Sequence, residues 1–203
     1  APSITLHDPA DNFNTSNTDV LFNWTASDIT EYNLSCNLTI DGEVNQSVNV
    51  SSGESYNTTI NFNEGVYSWN VSCWDSVNNI DTSETREFTV DETEPSISLH
   101  NPLQNETVEN ADVNFNWTAT DNVVGSLICN LTINGSVNVS SISSLNGTPA
   151  NQTVTLGNGF YLWNMTCKDD VGNFNTSLTR NFTVSVPAAD VSLVYPVDII
   201  VDD

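Results

Sequence analysis

The chain repeats itself with a period of 93 to 94 residues, and this repeat limits its fold more than any other feature. Pro2–Pro9 aligns with Pro95–Pro102 and again with Ala189–Pro196. Later landmarks agree between the first two copies: Phe22–Asp28 with Phe115–Asp121, Cys36–Gly42 with Cys129–Gly135, and Arg86–Val90 with Arg180–Val184. We therefore expect two successive domains of one fold, residues 1–92 and 93–186, followed by a C-terminal segment, 187–203.

Within each copy, apolar and polar residues alternate with the period of two that half-buried strands show. The inward sets in copy one are Val20, Phe22, Trp24 and Ala26, then Leu34, Cys36, Leu38 and Ile40, then Tyr67, Trp69, Val71 and Cys73. The dipeptides Asp41-Gly42 and Asn134-Gly135 indicate hairpin turns, because their backbones tolerate positive φ. About seven strands per copy and no helical period predict an all-β chain of two tandem β-sandwiches.

The N-glycosylation signal Asn-x-Ser/Thr occurs 18 times, whereas the 30 Asn and 46 Ser/Thr of the chain predict roughly 7 by chance. This excess predicts a heavily glycosylated extracellular or cell-surface protein. The acceptor residues are Asn14, Asn23, Asn33, Asn37, Asn45, Asn49, Asn57, Asn70, Asn105, Asn116, Asn130, Asn134, Asn138, Asn146, Asn151, Asn164, Asn175 and Asn181.

Many acceptor triplets lie inside predicted strands, as in Asn23-Trp24-Thr25. Because residues i and i+2 of a strand share a face, each triplet places Asn and hydroxyl outward and the apolar residue inward. Acceptors on neighbouring strands, such as Asn37 and Asn70, then crowd one face about 4.8 Å apart. Either a subset is modified or the face carries a continuous glycan layer, and we expect the layer.

The net charge of −23, from three basic and 26 acidic residues, limits the possible partners. Nucleic acids and anionic membranes both require basic patches, so neither is an expected partner. No stretch approaches the roughly 18 apolar residues of a membrane span, so we expect no direct span.

Two cysteines per copy stand at matched positions. In an exported chain this predicts the disulfides Cys36–Cys73 and Cys129–Cys167, on the third and sixth strands; four free thiols are the alternative. No Cys-x-x-Cys pair or nearby His completes a metal site at these cysteines.

The chain resembles Ig-like repeats, and most closely the fibronectin-III-like repeats of archaeal and bacterial cell-surface proteins. The resemblance rests on Trp24 or Trp117 in the second strand, the pattern Tyr-x-Trp-x-Val/Met-x-Cys-x-Asp in the sixth, and the linker Val90–Pro95. It implies fold and an extracellular setting rather than an activity. Such repeats build surface layers, stalks, filaments and adhesins.

No residue pattern indicates catalysis, so the chain is interpreted as a non-enzyme. His7 and His100 are equivalent by repeat, which favours a structural role. The sequence contains no Ser-His-Asp ordering, phosphate loop or nucleophile elbow. Trp74 faces outward where the second copy has Lys168, and it is the one aromatic residue we consider for ligand contact.

Calcium is the one cofactor that the sequence suggests. Asp91, Glu92 and Glu94 of the linker could join Asp28 or Asp121 as hard oxygen ligands, although a solvated acidic linker explains the same residues.

The segment after the second copy contains no acceptor triplet and is apolar on both registers, at Val191, Leu193, Val194, Tyr195, Val197, Ile199, Ile200 and Val201. It is interpreted either as a truncated third repeat or as a strand inserted into the next subunit, which would polymerise the chain head to tail. The leading hypothesis is a structural subunit of a glycosylated filament or surface layer. The alternative is an adhesin or receptor stalk.

Overall fold

The computed structural model describes residues 1–122 and 125–188, and these ranges form strands joined by turns and loops. The strands of the first domain are β1 (Ser3–Asp8), β2 (Phe13–Thr15), β3 (Asp19–Ser27), β4 (Asn33–Ile40), β5 (Glu43–Ser51), β6 (Ser55–Asn61), β7 (Gly65–Trp74), β8 (Ile80–Thr82) and β9 (Arg86–Val90). Those of the second domain are β10 (Ser96–Asn101), β11 (Glu106–Val108), β12 (Asp112–Thr120), β13 (Ser126–Ile133), β14 (Ser136–Leu145), β15 (Pro149–Thr155), β16 (Gly159–Lys168), β17 (Phe174–Thr176) and β18 (Arg180–Val184). Over these ranges, no helix is long and apolar enough to cross a membrane.

Each domain packs a three-stranded sheet against a larger one, and the two domains share one strand order. The first domain has the sheets β1-β3-β6 and β2-β9-β7-β4-β5, with β8 paired to β7. The second has β10-β12-β15 and β11-β18-β16-β13-β14, with β17 paired to β16. Nine strands per domain exceed the seven that the sequence predicts. The additional strands have three residues each, too few to show an alternating pattern.

The cores consist of the residues that the alternation places inward. Trp24, Trp69, Trp117 and Trp163 are each at most 1% exposed, so they pack the interior and face no ligand. In the first domain the ring of Phe22 meets Trp69 edge-on, with centroids 5.2 Å apart. The equivalent contact in the second domain, Phe115 to Trp163, measures 5.1 Å. The repeat therefore extends from sequence to side-chain packing.

The structure contains both expected disulfides. Cys36 lies opposite Cys73 in the β4–β7 ladder, and Cys129 lies opposite Cys167 in the β13–β16 ladder. Each bridge therefore joins adjacent strands of one sheet. The loops that they close span 37 and 38 residues. On the chain-entropy model, each bridge stabilises its domain by roughly 3–4 kcal/mol.

The two predicted hairpin turns are confirmed. Asp41 and Gly42 have φ values of 50° and 79°, and Asn134 and Gly135 have values of 50° and 78°. Two successive residues with positive φ match the right-handed twist of the flanking strands. The turn side chains also bind the neighbouring strand, since Asp41 Oδ1 accepts a hydrogen bond of 2.7 Å from the backbone N–H of Ser68.

The two arginines tie the sheets together, a role that the sequence did not reveal. The guanidinium of Arg86, on β9, donates to the carbonyl oxygens of Leu6, His7 and Pro9 at 3.3 Å each. Arg180, on β18, donates to the carbonyls of the equivalent residues, Leu99, His100 and Pro102, at 2.9–3.4 Å. Each arginine thus fixes the end of the first strand of its domain.

Candidate functional site

Three aspartates meet where the first domain is joined to the second. Asp91 directly follows β9, Asp121 follows β12, and Asp169 follows β16. One carboxylate oxygen from each lies within 4.8 Å of the other two. Asp91 and Asp169 are only 1% and 6% exposed, and Asp121 is half-buried. We call this group the junction triad.

Backbone hydrogen bonds fix the two buried members of the triad. The N–H of Asp91 donates to the carbonyl of Thr15 at 2.9 Å, and Asp91 Oδ1 accepts from the N–H of Thr93 at 3.1 Å. Asp169 Oδ1 accepts three backbone N–H groups of the turn 171–173, at 2.7–3.0 Å. The second oxygen, Oδ2, of both Asp91 and Asp169 is buried and accepts no hydrogen bond from any described residue.

The triad places like charges close together in a poorly solvated position. Burial, followed by the charges of Asp121, Asp169 and Glu64, raises the pKa of Asp91, although the hydrogen bond from Thr93 opposes this shift. Within the described ranges, no ion pair joins Asp91 or Asp169 to a basic side chain. The site therefore favours a proton or a cation.

Glu64, in the loop between β6 and β7, connects the first domain to the linker and to the second domain. Its Oε2 accepts from the hydroxyl of Thr93 at 2.6 Å and from the N–H of Glu92 at 3.2 Å. Its Oε1 accepts from the side-chain amide of Asn122. The hydrogen bond from Thr93 is the main cause that lowers the pKa of Glu64, so this carboxylate is ionised at neutral pH.

Two further contacts cross the junction. The side-chain amide of Asn173 donates to the carbonyl of Asp91 at 2.9 Å, and that of Asn14 donates to Asp170 Oδ2 at 3.3 Å. The carbonyl of Asp91, the N–H groups of Glu92 and Thr93 and the hydroxyl of Thr93 therefore all make hydrogen bonds within the protein. In a flexible linker these groups would be hydrogen-bonded to water instead.

The sequence predicted part of this site. The structure brings together Asp91 and Asp121, whereas Glu92 and Glu94 have exposed side chains outside the triad. Asp28 lies at the equivalent place in the first domain. Asp169 was missed as a candidate ligand, although both copies carry the signal: the pattern Cys-x-Asp at the end of the sixth long strand.

The other candidate residues lie apart from the triad. Trp74 is half-buried, and it is paired in register with Ser35 and Ile80. His7 Nε2 and His100 Nε2 make equivalent hydrogen bonds to Thr25 Oγ1 and Thr118 Oγ1, at 3.0 and 2.8 Å. The eight apolar residues proposed for subunit contact, at 191–201, lie outside the described residues.

All 18 acceptor asparagines lie in the described ranges, and none of them is buried. Asn23 lies directly opposite Asn57 on the three-stranded sheet, and Asn116 lies opposite Asn151 in the second domain. Both side-chain groups of Asn146 are hydrogen-bonded to the backbone of one residue. Its Oδ1 accepts from the N–H of Asp121, and its Nδ2 donates to the carbonyl of Asp121, at 2.9 and 2.8 Å.

No family model and no curated protein matches the chain. Among solved structures it is similar to the fibronectin(III)-like modules of Clostridium thermocellum CbhA, at 15% identity and a TM-score of 0.48, over 91% of this chain and 94% of that one. It is also similar to the FN1–FN3 domains of chicken CNTN1, at 12% identity and 0.48, over 86% and 65% of the two chains. A bacterial ice-binding adhesin matches at 15% identity and 0.46, over 92% and 66%.

The strand order itself defines the class of protein. A three-stranded sheet formed by the first, second and fifth long strands faces a sheet in which the third and sixth long strands are neighbours. This is the Ig-like sandwich in its fibronectin-III-like arrangement. Two such domains, each with a disulfide, are typical of secreted or cell-surface proteins.

Proposed function

We propose that the chain is a non-enzymatic structural subunit of a heavily N-glycosylated extracellular assembly, a surface filament or surface layer. One observation carries this proposal: acceptor asparagines occur on the outer faces of both sheets in both domains, on strands whose inward residues fill the core. A glycan layer on these faces leaves contacts to the ends of the domains. The bare, apolar sequence of the segment 187–203 supports head-to-tail polymerisation as part of this proposal.

The junction supports the structural role. A linker held by Glu64, Asn173 and the ladder of β9 transmits force between domains better than a free linker does. The opposite pairs Asn23–Asn57 and Asn116–Asn151 place two acceptors at a Cβ spacing of about 4.5–5.5 Å. At that spacing, glycans on both members of a pair would shield the centre of the three-stranded sheet.

The proposal predicts a large increase in mass. In material isolated from the surface of the producing cells, we expect the peptides that span residues 1–203 to exceed their polypeptide mass, 22.1 kDa in total, by the mass of the attached glycans. Glycopeptide mapping should place glycans on both domains and on both members of at least one opposite pair. A chain of polypeptide mass alone would contradict the proposal, as would a chain that remains monomeric at the cell surface.

An adhesin or receptor stalk is the second candidate, and exposed apolar residues at the end of the first domain favour it. Ile29 and Tyr32, in the loop after β3, are 100% and 74% exposed, and Val77, in the turn after β7, is 71% exposed. A hydrogen bond of 2.5 Å from Ser76 to Glu31 holds these two loops together. Loss of ligand binding in a V77S variant that still assembles would favour the stalk.

A further inference from the structure

The geometry of the junction triad points to a cation site, and we propose that Asp91, Asp121 and Asp169 bind one calcium ion between the domains. Two of the three carboxylates, those of Asp91 and Asp169, are more than nine-tenths buried, and each has a buried oxygen, Oδ2, that accepts no hydrogen bond from any described residue. One oxygen of each triad member lies within 4.8 Å of the other two. An unpaired buried anion is strongly unfavourable, so a bound cation is the natural counterpart of this arrangement. The proposal does not depend on the assembly proposed above.

The fold does not require the carboxylate of Asp91. At the equivalent position the second domain carries Ser185, whose N–H donates to the carbonyl of Val108 at 2.9 Å. This matches the bond from Asp91 to Thr15 in length and in position. The backbone function is therefore identical without an acidic side chain. The carboxylate of Asp91 is an addition to the fold, and it occurs only where it faces two other carboxylates.

The arrangement around Asp169 also departs from that of its repeat. In the first domain, Asn79 Nδ2 donates to Asp75 Oδ2 at 2.6 Å and so satisfies the second oxygen. In the second domain, the equivalent amide of Asn173 donates to the carbonyl of Asp91 instead. Asp169 Oδ2 is thereby left available on the side of the linker. The same residue types produce a satisfied carboxylate in one domain and a potential ligand in the other.

The donor set selects the kind of cation. Carboxylate oxygens are the ligands of hard cations, and the triad contains no imidazole or thiolate that would favour zinc. Three oxygens at about 2.6 Å from one calcium ion can lie about 4.5 Å from one another, which is close to the 4.8 Å within which the triad oxygens lie. Magnesium, at about 2.0–2.1 Å, requires a tighter octahedral set. One bound calcium ion would fix the linker to the two loops of the second domain.

Isothermal titration of the two-domain chain, residues 1–203, with CaCl₂ tests the site. We expect one calcium ion per chain, with a dissociation constant on the order of 10⁻⁴–10⁻³ M, as in other extracellular modules. The D91S variant, which reproduces the natural Ser185, should weaken binding at least tenfold. The matched control is E94Q, which removes a linker charge outside the triad and should change the affinity less than twofold. D169N should also weaken binding, because it replaces the charged carboxylate with a neutral amide. It keeps the Oδ1 acceptor for the turn, so the variant should remain folded.

Circular dichroism confirms that each variant is folded before titration. The proposal is overturned if D91S and D169N bind calcium as the wild type does, or if E94Q loses as much affinity as they do. It is also overturned if MgCl₂ and NaCl of equal ionic strength reproduce the calcium effect on Tm, because that result is charge screening alone.

Discussion

Each domain carries a pair of aspartates at one end, Asp28 and Asp75 in the first domain and Asp121 and Asp169 in the second, and we call these two ends the heads. The heads share a backbone arrangement but differ in how their carboxylates are hydrogen-bonded and charged. In the first head, Asp75 Oδ2 accepts from Asn79, and Asp28 Oδ2 lies 3.5 Å from the ammonium of Ala1. In the second head, Asp169 Oδ2 has no such bond, and the linker adds a third carboxylate, Asp91. In the first head the second oxygen of Asp75 is hydrogen-bonded, whereas the second head concentrates three carboxylates.

The two copies of the repeat therefore keep the same backbone hydrogen bonds around the aspartate, whereas the linker changes the charge of the site. In both heads, the aspartate after the sixth long strand binds the N–H groups of the following turn, and so its Oδ1 is structural. Only the second oxygen changes its partner. The heads can therefore be separated experimentally by substitutions that act on one oxygen at a time.

The largest expected effect tests what the heads share. D169A removes the acceptor of three backbone N–H groups at a buried position, which should cost the second domain about 2–4 kcal/mol of unfolding free energy. D75A should destabilise the first domain in the same direction, since Asp75 Oδ1 accepts from the N–H groups of Val77 and Asn79. Urea unfolding followed by domain-resolved hydrogen exchange measures both. Wild-type stability in either variant would show that the heads do not share this frame.

A smaller effect, a fall in Tm expected in the first head alone, tests what separates the two heads. In the presence of a chelator, D75N should lower the Tm of the first domain by a few degrees, because two amide groups would then face each other at Asn79. D169N should leave the Tm of the second domain unchanged or raise it, since it retains Oδ1 and removes one of three like charges. With calcium present, the wild type should gain stability and D169N should not.

If both asparagine variants lower Tm equally in the chelator, the difference between the heads is an accident of side-chain placement. D170N serves as the control here. It removes an exposed charge next to Asp169 without touching the triad, and its only described side-chain bond is with Asn14. Its Tm should remain that of the wild type.

Much of the fold could be predicted from the sequence, because it depends on short-range patterns. The period-two alternation identified Phe22, Trp24 and their equivalents as core, and strand register then placed the cysteines opposite each other. The junction triad could not be predicted in full. Asp91 and Asp169 are 78 positions apart in a chain of 203, and only the tertiary structure brings their carboxylates together. The rotation of Asn173 away from Asp169 likewise has no signal in a sequence that has Asn at both equivalent positions.

The smallest effect is a difference in titration between the heads. Hydrogen bonds from the backbone and hydroxyl of Thr30 lower the pKa of Asp28 to about 2, with a further contribution from the ammonium of Ala1. Asp28 therefore adds stability that is present above its ordinary pKa of 3.8 and is lost as the pH falls towards 2. Asp91 has the opposite sign. Burial and the neighbouring carboxylates raise its pKa, so the folded state loses stability as the pH rises from 3.8 through the raised value. Acidification restores that stability.

Carbon-13 NMR titration of the aspartate carboxyls in a chelator, with D28N and D91N for assignment, should show the two midpoints on opposite sides of 3.8. Coincident midpoints would mean that the two carboxylates lie in equivalent electrostatic environments, which would contradict the difference between the heads.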